Sequence, residues 1–445
     1  MIHTAPVHVW LPDSPTPVLA GEFTHDSVGP VGRFRYDSAY LAARHPPLAP
    51  DLPLRSRPCA VTGGHGIFPL FMDAGPDAWG RHLLARRLER DVSEVEALML
   101  CPTDGVGNIA LGEVTPERQR VLTVDEFLNI LSGLEAGGQA QTDQEEQVLD
   151  AAQNGTSLGG TKPKLTVSRD GVHYLAKFPE QGDSRWLPHA ECAMLKLADA
   201  CGIRACKDPE IWHLSASRAA LLVRRFDRET TPAGVVRKGY VSAHALLRLD
   251  LAMPAPADTL HYGTVGFTPQ GLCKSYVSLA EGMARWCGGQ EAHREERREL
   301  WLRIVFNALI RNLDDHSKNH GLLCEDMAKQ RWRLSPAFDL VPAAALPQNP
   351  ALSMAYRYVP GTRRGRQPSP SRLVTAIDAE DLVAAGADHY GYALEEAQEA
   401  LQKMAAIIAD QWRKMMSAEG VPGEEIRRFE MTFSFAEGRP LYFAL

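Results

Sequence analysis

No two of the eight cysteines stand in a C-x-x-C pair, which argues against a structural zinc site. Most lie in apolar runs such as "ECAMLKLADACGI" and read as buried, reduced thiols of a cytoplasmic protein. No apolar run reaches membrane-spanning length before a charge interrupts it. The start, "MIHTAPVHVWLPDSP", lacks the basic and then apolar order of a secretory signal. A basic excess is missing too. Lys and Arg number 48 against 55 Asp and Glu, a formal net charge of -7. That argues against a protein living on bulk attraction to nucleic-acid phosphate, although it leaves room for a local basic patch. There is no internal repeat, no obvious helix-turn-helix, and no G-K-[ST] to complete a Walker A loop.

What is present is a chain of 445 residues, 44% hydrophobic and 23% charged. Those values describe a soluble globular protein of two or three lobes. Residues 1–60 alternate and are punctuated by Gly and Pro, so they read as short strands. Pro76 opens a helix running through "HLLARRLER", and "SEVEALMLCP" gives another. Residues 133–155 are polar and rich in Gly and Gln, the composition of a linker or a short exposed helix. "KLTVSRDGVHYLAKFP" reads as two strands about an Asp-Gly turn. "HAECAMLKLADACGI" reads as an amphipathic helix ending at Gly202, and "IWHLSASRAALLVRRFDRE" as two more strands. From about 240 the pattern turns helical, and Leu401, Met404, Ile408 and Trp412 form a core stripe. The expected fold is α+β, in three stretches. Residues 1–115 are an N-terminal α+β subdomain, 116–238 a strand-rich lobe, and 239–445 a helical C-terminal lobe.

The chemistry concentrates in "NLDDHSKNHG" (312–321), which follows the nearly unbroken apolar run "ELWLRIVFNALI". Asp314 and Asn319 are five residues apart. Kinase catalytic loops use that spacing: the Asp accepts the proton of the attacking hydroxyl, and the Asn helps hold Mg²⁺. Asp315 competes with Asp314 for the role of base, and the spacing to Asn319 favours Asp314. Asp339, in "RLSPAFDLVPAA", supplies the second carboxylate that a Mg²⁺ on nucleotide phosphates asks for. Its bland alternative is a turn before Pro342. Lys177, inside the apolar strand "HYLAKFP", needs a partner or an anion, unless it stands at a solvated strand end. Glu191 could pair with it, or could simply face solvent. Gly159 and Gly160 in "GTSLGGTKPKLTV" let backbone amides approach phosphate, with Lys162 and Lys164 beside them. A plain β-turn is the default reading of that stretch. A zinc pair of His316 and His320 has the right spacing for a helix but no third ligand.

Taken together, Ser157-Leu-Gly-Gly-Thr-Lys-Pro-Lys164, Lys177, "RRFDR" (224–228), "LDDHSKN" (313–319) and "FDLVP" (338–342) resemble the HipA family, the serine/threonine-kinase toxins of HipBA toxin–antitoxin modules. "FMDAGPDAWGRHLLARR" and "DGVGNIALG" resemble the family's N-terminal subdomain. The resemblance spans most of the chain. It implies a two-lobed protein-kinase-like fold acting on ATP and Mg²⁺. Asp314 would be the base, and Asn319 and Asp339 the metal ligands. Gly159, Gly160, Thr161, Lys164 and Lys177 would hold the phosphates, Arg224 and Phe226 would form the adenine hinge, and His316 and Lys318 would also bind the nucleotide, His316 orienting the loop. Ser157 matches the serine whose autophosphorylation switches such kinases off, because added charge unseats a phosphate-binding loop; taken alone it is a turn-capping hydroxyl.

The implied partners are a HipB-like antitoxin carrying the DNA-binding work, and a protein substrate, an aminoacyl-tRNA synthetase in known cases. Neither a membrane nor direct nucleic-acid contact is implied. Two departures from the family pattern stand out: the hinge is more basic, at Arg224-Arg225, and the acidic residues expected near His244 are missing from "RKGYVSAHALLRLD". Two other readings compete. One is a kinase of this fold acting on a small molecule; the other is a nucleotide-binding scaffold regulating a toxin–antitoxin operon.

Overall fold

The computed structural model describes all residues except 1, 30, 63–65, 77, 101–104, 116–119, 136–144, 146–147, 149–162, 181, 216–217, 248, 250–273, 361–371 and 439–445. The chain is a mixed α+β protein whose contacts group it into two compact units. Unit one holds residues 1–188, 206–240 and 323–328; unit two holds 189–205, 241–322 and 329–445.

Unit one carries two five-stranded sheets. The first has the order β4-β3-β2-β1-β5, from β1 (Ile2–Trp10), β2 (Pro17–Asp26), β3 (Val31–Tyr36), β4 (Cys59–Thr62) and β5 (Ile109–Leu111). All its pairings are antiparallel, with a bulge between Val7 and His8. Phe23 and Phe34 each meet the ring of Phe71 edge-on at 5.4 Å, so alternate residues of the strands close an aromatic core on one face. Helices α1 (Ala78–Arg87) and α2 (Glu94–Leu100) follow, tied by an ion pair of Arg81 with Glu94.

The second sheet has the order β6-β7-β8-β10-β9, from β6 (Leu122–Thr123), β7 (Lys164–Arg169), β8 (Val172–Lys177), β9 (Glu210–His213) and β10 (Ala219–Arg224). Only β6 and β7 run parallel. Helix α3 (Val124–Glu135) drives Phe127 against Phe178 and Trp212, at 5.7 and 4.8 Å between rings. With Val167, Ala176, Ala220 and Leu222 these residues form the core of the sheet. The β7–β8 turn is Asp170-Gly171, both at positive φ (52° and 75°). That is the pair of left-handed residues a two-residue hairpin loop needs. A short ribbon of β11 (Arg228–Thr231) and β12 (Gly234–Arg237) follows β10.

Unit two is built around one long helix. Its longer helices are α4 (Leu187–Ala200, nearly all in this unit), α5 (Tyr276–Gly282), α6 (Gln290–Leu309), α7 (Ala379–His389) and α8 (Leu394–Ala418). The apolar half of α6 is buried from Glu299 to Leu309 almost without a break. The Nε1 of Trp301 donates to the Leu382 carbonyl at 2.9 Å, and Gly386 lets α7 approach that indole. Met404, Ile408, Trp412 and Met416 form the buried stripe of α8, with Trp412 stacked on Phe433 at 4.1 Å. Leu401, expected in that stripe, is only half-buried. Within the region read as helical lie short strands, Gly321–Asp326 and Arg331–Leu334 among them. Six of the cysteines are described and all six are free thiols.

Candidate phosphoryl-transfer site

The polar cluster begins where α6 stops. Arg311 takes a left-handed φ of 52°. The Asn312 amide donates back to the Asn307 carbonyl at 2.8 Å, and the Arg311 amide to that of Ala308 at 3.3 Å. This is a Schellman ending with Arg at the position usually given to Gly. Side chains then lock the turn. Asn312 Nδ2 donates both to Asn307 Oδ1 and to the Asp339 carbonyl, each at 3.1 Å. One amide group therefore joins the end of the helix, the loop, and the segment that carries the second carboxylate.

The two adjacent aspartates have opposite surroundings. Asp315 is 1% exposed. Its Oδ2 accepts from Asn307 Nδ2 at 2.7 Å and from the Tyr276 hydroxyl, and lies 2.8 Å from His320 Nε2. Asp314 is exposed, and its backbone carbonyl accepts from Asn319 Nδ2 at 3.3 Å. Residues 317–319 form one 3-10 turn with Asn319 buried and Lys318 exposed. His244 Nδ1 lies 3.3 Å from the Ser317 hydroxyl. His316 is half-buried, and its Nδ1 has no hydrogen-bond partner. A zinc pair of His316 and His320 finds no support: the segment is not an α-helix and His320 Nε2 is committed to Asp315. Among the described residues no group of three or more His, Cys, Asp or Glu is placed to hold a metal.

Asp339 is half-buried and adopts φ 60°. Asp tolerates the left-handed region better than most residues, and such conformations persist where their surroundings over-determine them. Here the approach is pinned twice over. Arg303 of α6, fully buried, donates to the Ser335 carbonyl at 2.7 Å, and the Ala337 amide donates to the Arg204 carbonyl at 2.6 Å. Arg303 is itself bound by Glu299, one turn earlier, at 2.9 Å. Burial pulls the Glu299 carboxyl upward, but Arg303 and Arg204 prevail and hold it below its ordinary range.

In unit one, Lys164 opens β7 and Lys177 closes β8, and the two are cross-strand partners. Residues in register point to the same face, and like charges directly opposite repel unless something negative sits with them. Ser157, Gly159, Gly160, Thr161 and Lys162 precede this pair but lie outside the described residues. Glu191 is buried and belongs to unit two.

Two family domains match the chain: HipA-like C-terminal domain over residues 156–412 and HipA N-terminal domain over 7–112. The chain belongs to the HipA family. A structure of HipA, HipB and operator DNA from Shewanella oneidensis MR-1 matches it with a TM-score of 0.66 at 17% identity, covering 98% of this chain and 97% of that one. The Helicobacter pylori proinflammatory kinase CtkA matches with a TM-score of 0.36 at 11% identity, over 62% of this chain and 94% of that one. No curated protein matches the chain by sequence. The HipA-like kinase fold implies a serine/threonine protein kinase using ATP.

Of the HipA motifs, "RRFDR" turns out to hold a buried ionic clasp. Asp227 is 2% exposed. It accepts from Arg225 Nε at 3.0 Å, from an Arg228 guanidinium nitrogen at 2.6 Å and from the Gly107 amide at 2.8 Å. The same two arginines donate to the Gly105 carbonyl, at 3.2 and 2.8 Å. Burial alone would raise the Asp227 carboxyl; the Arg225 and Arg228 charges overcome it and hold the group well below the usual carboxylate range. Gly105 and Gly107 therefore fold onto "RRFDR", although the two stretches match different family domains. Arg224, by contrast, is half-exposed at the end of β10, 3.7 Å from Asp208, and Phe226 lies 5.7 Å from the Tyr240 ring.

The sequence reading missed Tyr276, Asn307, Asn312, Ser353 and the Asp227 clasp. One signal was available: an Asn within "IVFNALI" must find a buried partner. Among the described residues no helix is long and apolar enough to cross a membrane.

Proposed function

We propose that this chain is a Mg²⁺-dependent HipA-type kinase that transfers the ATP γ-phosphoryl group to a protein hydroxyl, with Asp314 as the catalytic base. The observation that carries the reading is the contrast within the Asp314-Asp315 pair. One carboxylate is buried with three partners on a single oxygen, while its neighbour is exposed on a loop whose backbone is held on both sides. A base must be reachable by the hydroxyl whose proton it takes, and Asp314 is the one of the two that meets this need.

The donor set suits Mg²⁺. Asn319 and Asp339 offer oxygen ligands, the donors a hard ion takes, and Mg²⁺ on a nucleotide takes only one or two protein groups. When bound, the ion neutralises charge on the phosphates. The chain's own part is positioning. Asn312 sets the Asp339 backbone, Asn319 is tied to Asp314, and Lys164 and Lys177 supply cationic charge for the phosphates. Asp314 holds the hydroxyl and accepts its proton. Positioning and fixed charge supply most of the rate in such transfers.

The finer reading follows the family. The substrate is a protein such as an aminoacyl-tRNA synthetase, the partner is a HipB-like antitoxin that does the DNA binding, the compartment is the cytoplasm, and Ser157 is an autophosphorylation switch. Intact mass after incubation with Mg²⁺ and ATP tests the core of it, on dephosphorylated wild type, Ser157→Ala and Asp314→Ala. One added phosphoryl group on wild type alone fixes base and acceptor together. No added mass on wild type removes the self-inactivation claim and shifts weight to a small-molecule kinase or a scaffold. Added mass on Asp314→Ala sinks the assignment of the base.

A further inference from the structure

We propose that Asp315 is a positioning residue of the transfer loop, its buried carboxylate gathering Tyr276, Asn307 and His320 so that Asp314 is presented outward in one orientation. The proposal rests on the reading of Asp314 as the base.

Four separate elements meet at this residue. Tyr276 comes from the first turn of α5, Asn307 from the last turn of α6, His320 from the residue before the strand Gly321–Asp326, and Ser353 from the segment after Asp339. The first three converge on a single carboxylate oxygen. Ser353 Oγ donates instead to the Asp315 carbonyl at 2.5 Å, and Tyr276 reaches that carbonyl too, at 3.3 Å. Side chain and peptide are thus both held. A carboxylate this buried is costly unless donors satisfy it, and a residue serving packing alone would be better apolar.

Burial, reinforced by the Asp315 carboxylate, pushes the Tyr276 hydroxyl well above its ordinary value, so it stays a donor. The Nδ1 of His320 is buried with no partner while Nε2 faces the carboxylate, which assigns the ring proton to Nε2. All donors therefore point inward, and Asp314, one residue away with its carbonyl held by Asn319, is left facing solvent.

The test uses the full chain with Mg²⁺ and ATP. It reads ADP release, KM for ATP, and hydrogen–deuterium exchange of peptides covering 310–322. Asp315→Asn is expected to lower kcat about a hundredfold, the scale of a small misplacement of a reacting group, with KM for ATP within about twofold of wild type. Tyr276→Phe keeps the ring and its packing, and should lower kcat by a smaller factor. His320→Gln, which retains a donor, should keep more turnover than His320→Leu. Exchange should rise over 310–322 in Asp315→Asn and stay at wild-type level across α8.

Wild-type kcat in Asp315→Asn, or unchanged exchange over 310–322, overturns the proposal. So does exchange that rises throughout unit two, the mark of a purely structural role. An Asp314→Ala protein that turns over ATP like wild type sinks the reading of the base instead, while exchange in Asp315→Asn still judges the hold of Asp315 on the loop.

Discussion

Two neighbouring aspartates of identical chemistry have opposite surroundings, Asp315 buried among donors and Asp314 exposed. Asp314 is exposed, so its removal leaves no unpaired group in the interior. Asp314→Ala should therefore change unfolding free energy by less than about 0.5 kcal/mol, as surface substitutions do. Phosphoryl transfer should fall by about 10² to 10⁴, the share of a general base, while nucleotide binding is retained. Asp339→Ala should differ in kind, weakening Mg²⁺-dependent nucleotide binding as well as transfer. Calorimetric titration of the nucleotide with and without Mg²⁺, beside a melting curve, separates the two. The spacing of Asp314 to Asn319 was legible in the sequence because loop motifs are local. The role of Asp315 was not, since its partners Tyr276, Asn307, His320 and Ser353 are dispersed along the chain and only the fold collects them.

At the scale of elements, legibility follows how local the cause is. The β7–β8 hairpin was readable because Asp170-Gly171 encodes its own turn, with φ of 52° and 75°. That makes Gly171→Ala a clean test. An added Cβ meets only Thr230 Cγ2 at 3.6 Å, so the cost is backbone strain and not a clash. The expected loss is about 1–2 kcal/mol, the penalty of the left-handed region for a side chain, read as a shift in denaturant midpoint at unchanged slope. A loss well outside that range would mean the turn is held by something other than its backbone. The end of α6 was illegible for the opposite reason. No Gly marks it, and Arg311 is held left-handed by surrounding contacts, the Asn307 and Asn312 pair among them. Glu299 and Arg303, two charges inside a run that reads as apolar in sequence, form a buried pair that pins Ser335 ahead of Asp339.

At the scale of the molecule, the decisive joint within unit one is the Asp227 clasp. The buried Asp227 carboxylate accepts from the Gly107 amide, Arg225 and Arg228 donate to the Gly105 carbonyl, and Arg228 donates to the Gly107 carbonyl as well, joining the stretch that matches the N-terminal family domain to the stretch that matches the C-terminal one. Asp227→Asn would leave two buried cations short of their anion, and breaking a buried pair on one side costs about 3–5 kcal/mol. The dependence on pH has a definite sign. The folded carboxyl is held well below its ordinary value by Arg225 and Arg228 against the pull of burial. An unfolded Asp titrates near about 3.9, so the native state binds this proton less readily than the unfolded chain. The contribution is therefore complete above that unfolded value and is lost as pH falls below it toward the folded one. Denaturant unfolding of wild type and Asp227→Asn from pH 7 down to the acid limit of folding should show a constant gap at neutral pH that narrows only below about pH 4. A gap that narrowed already between pH 7 and 5 would assign the linkage to a different group, and no gap at all would mean the two family domains hold together without the clasp.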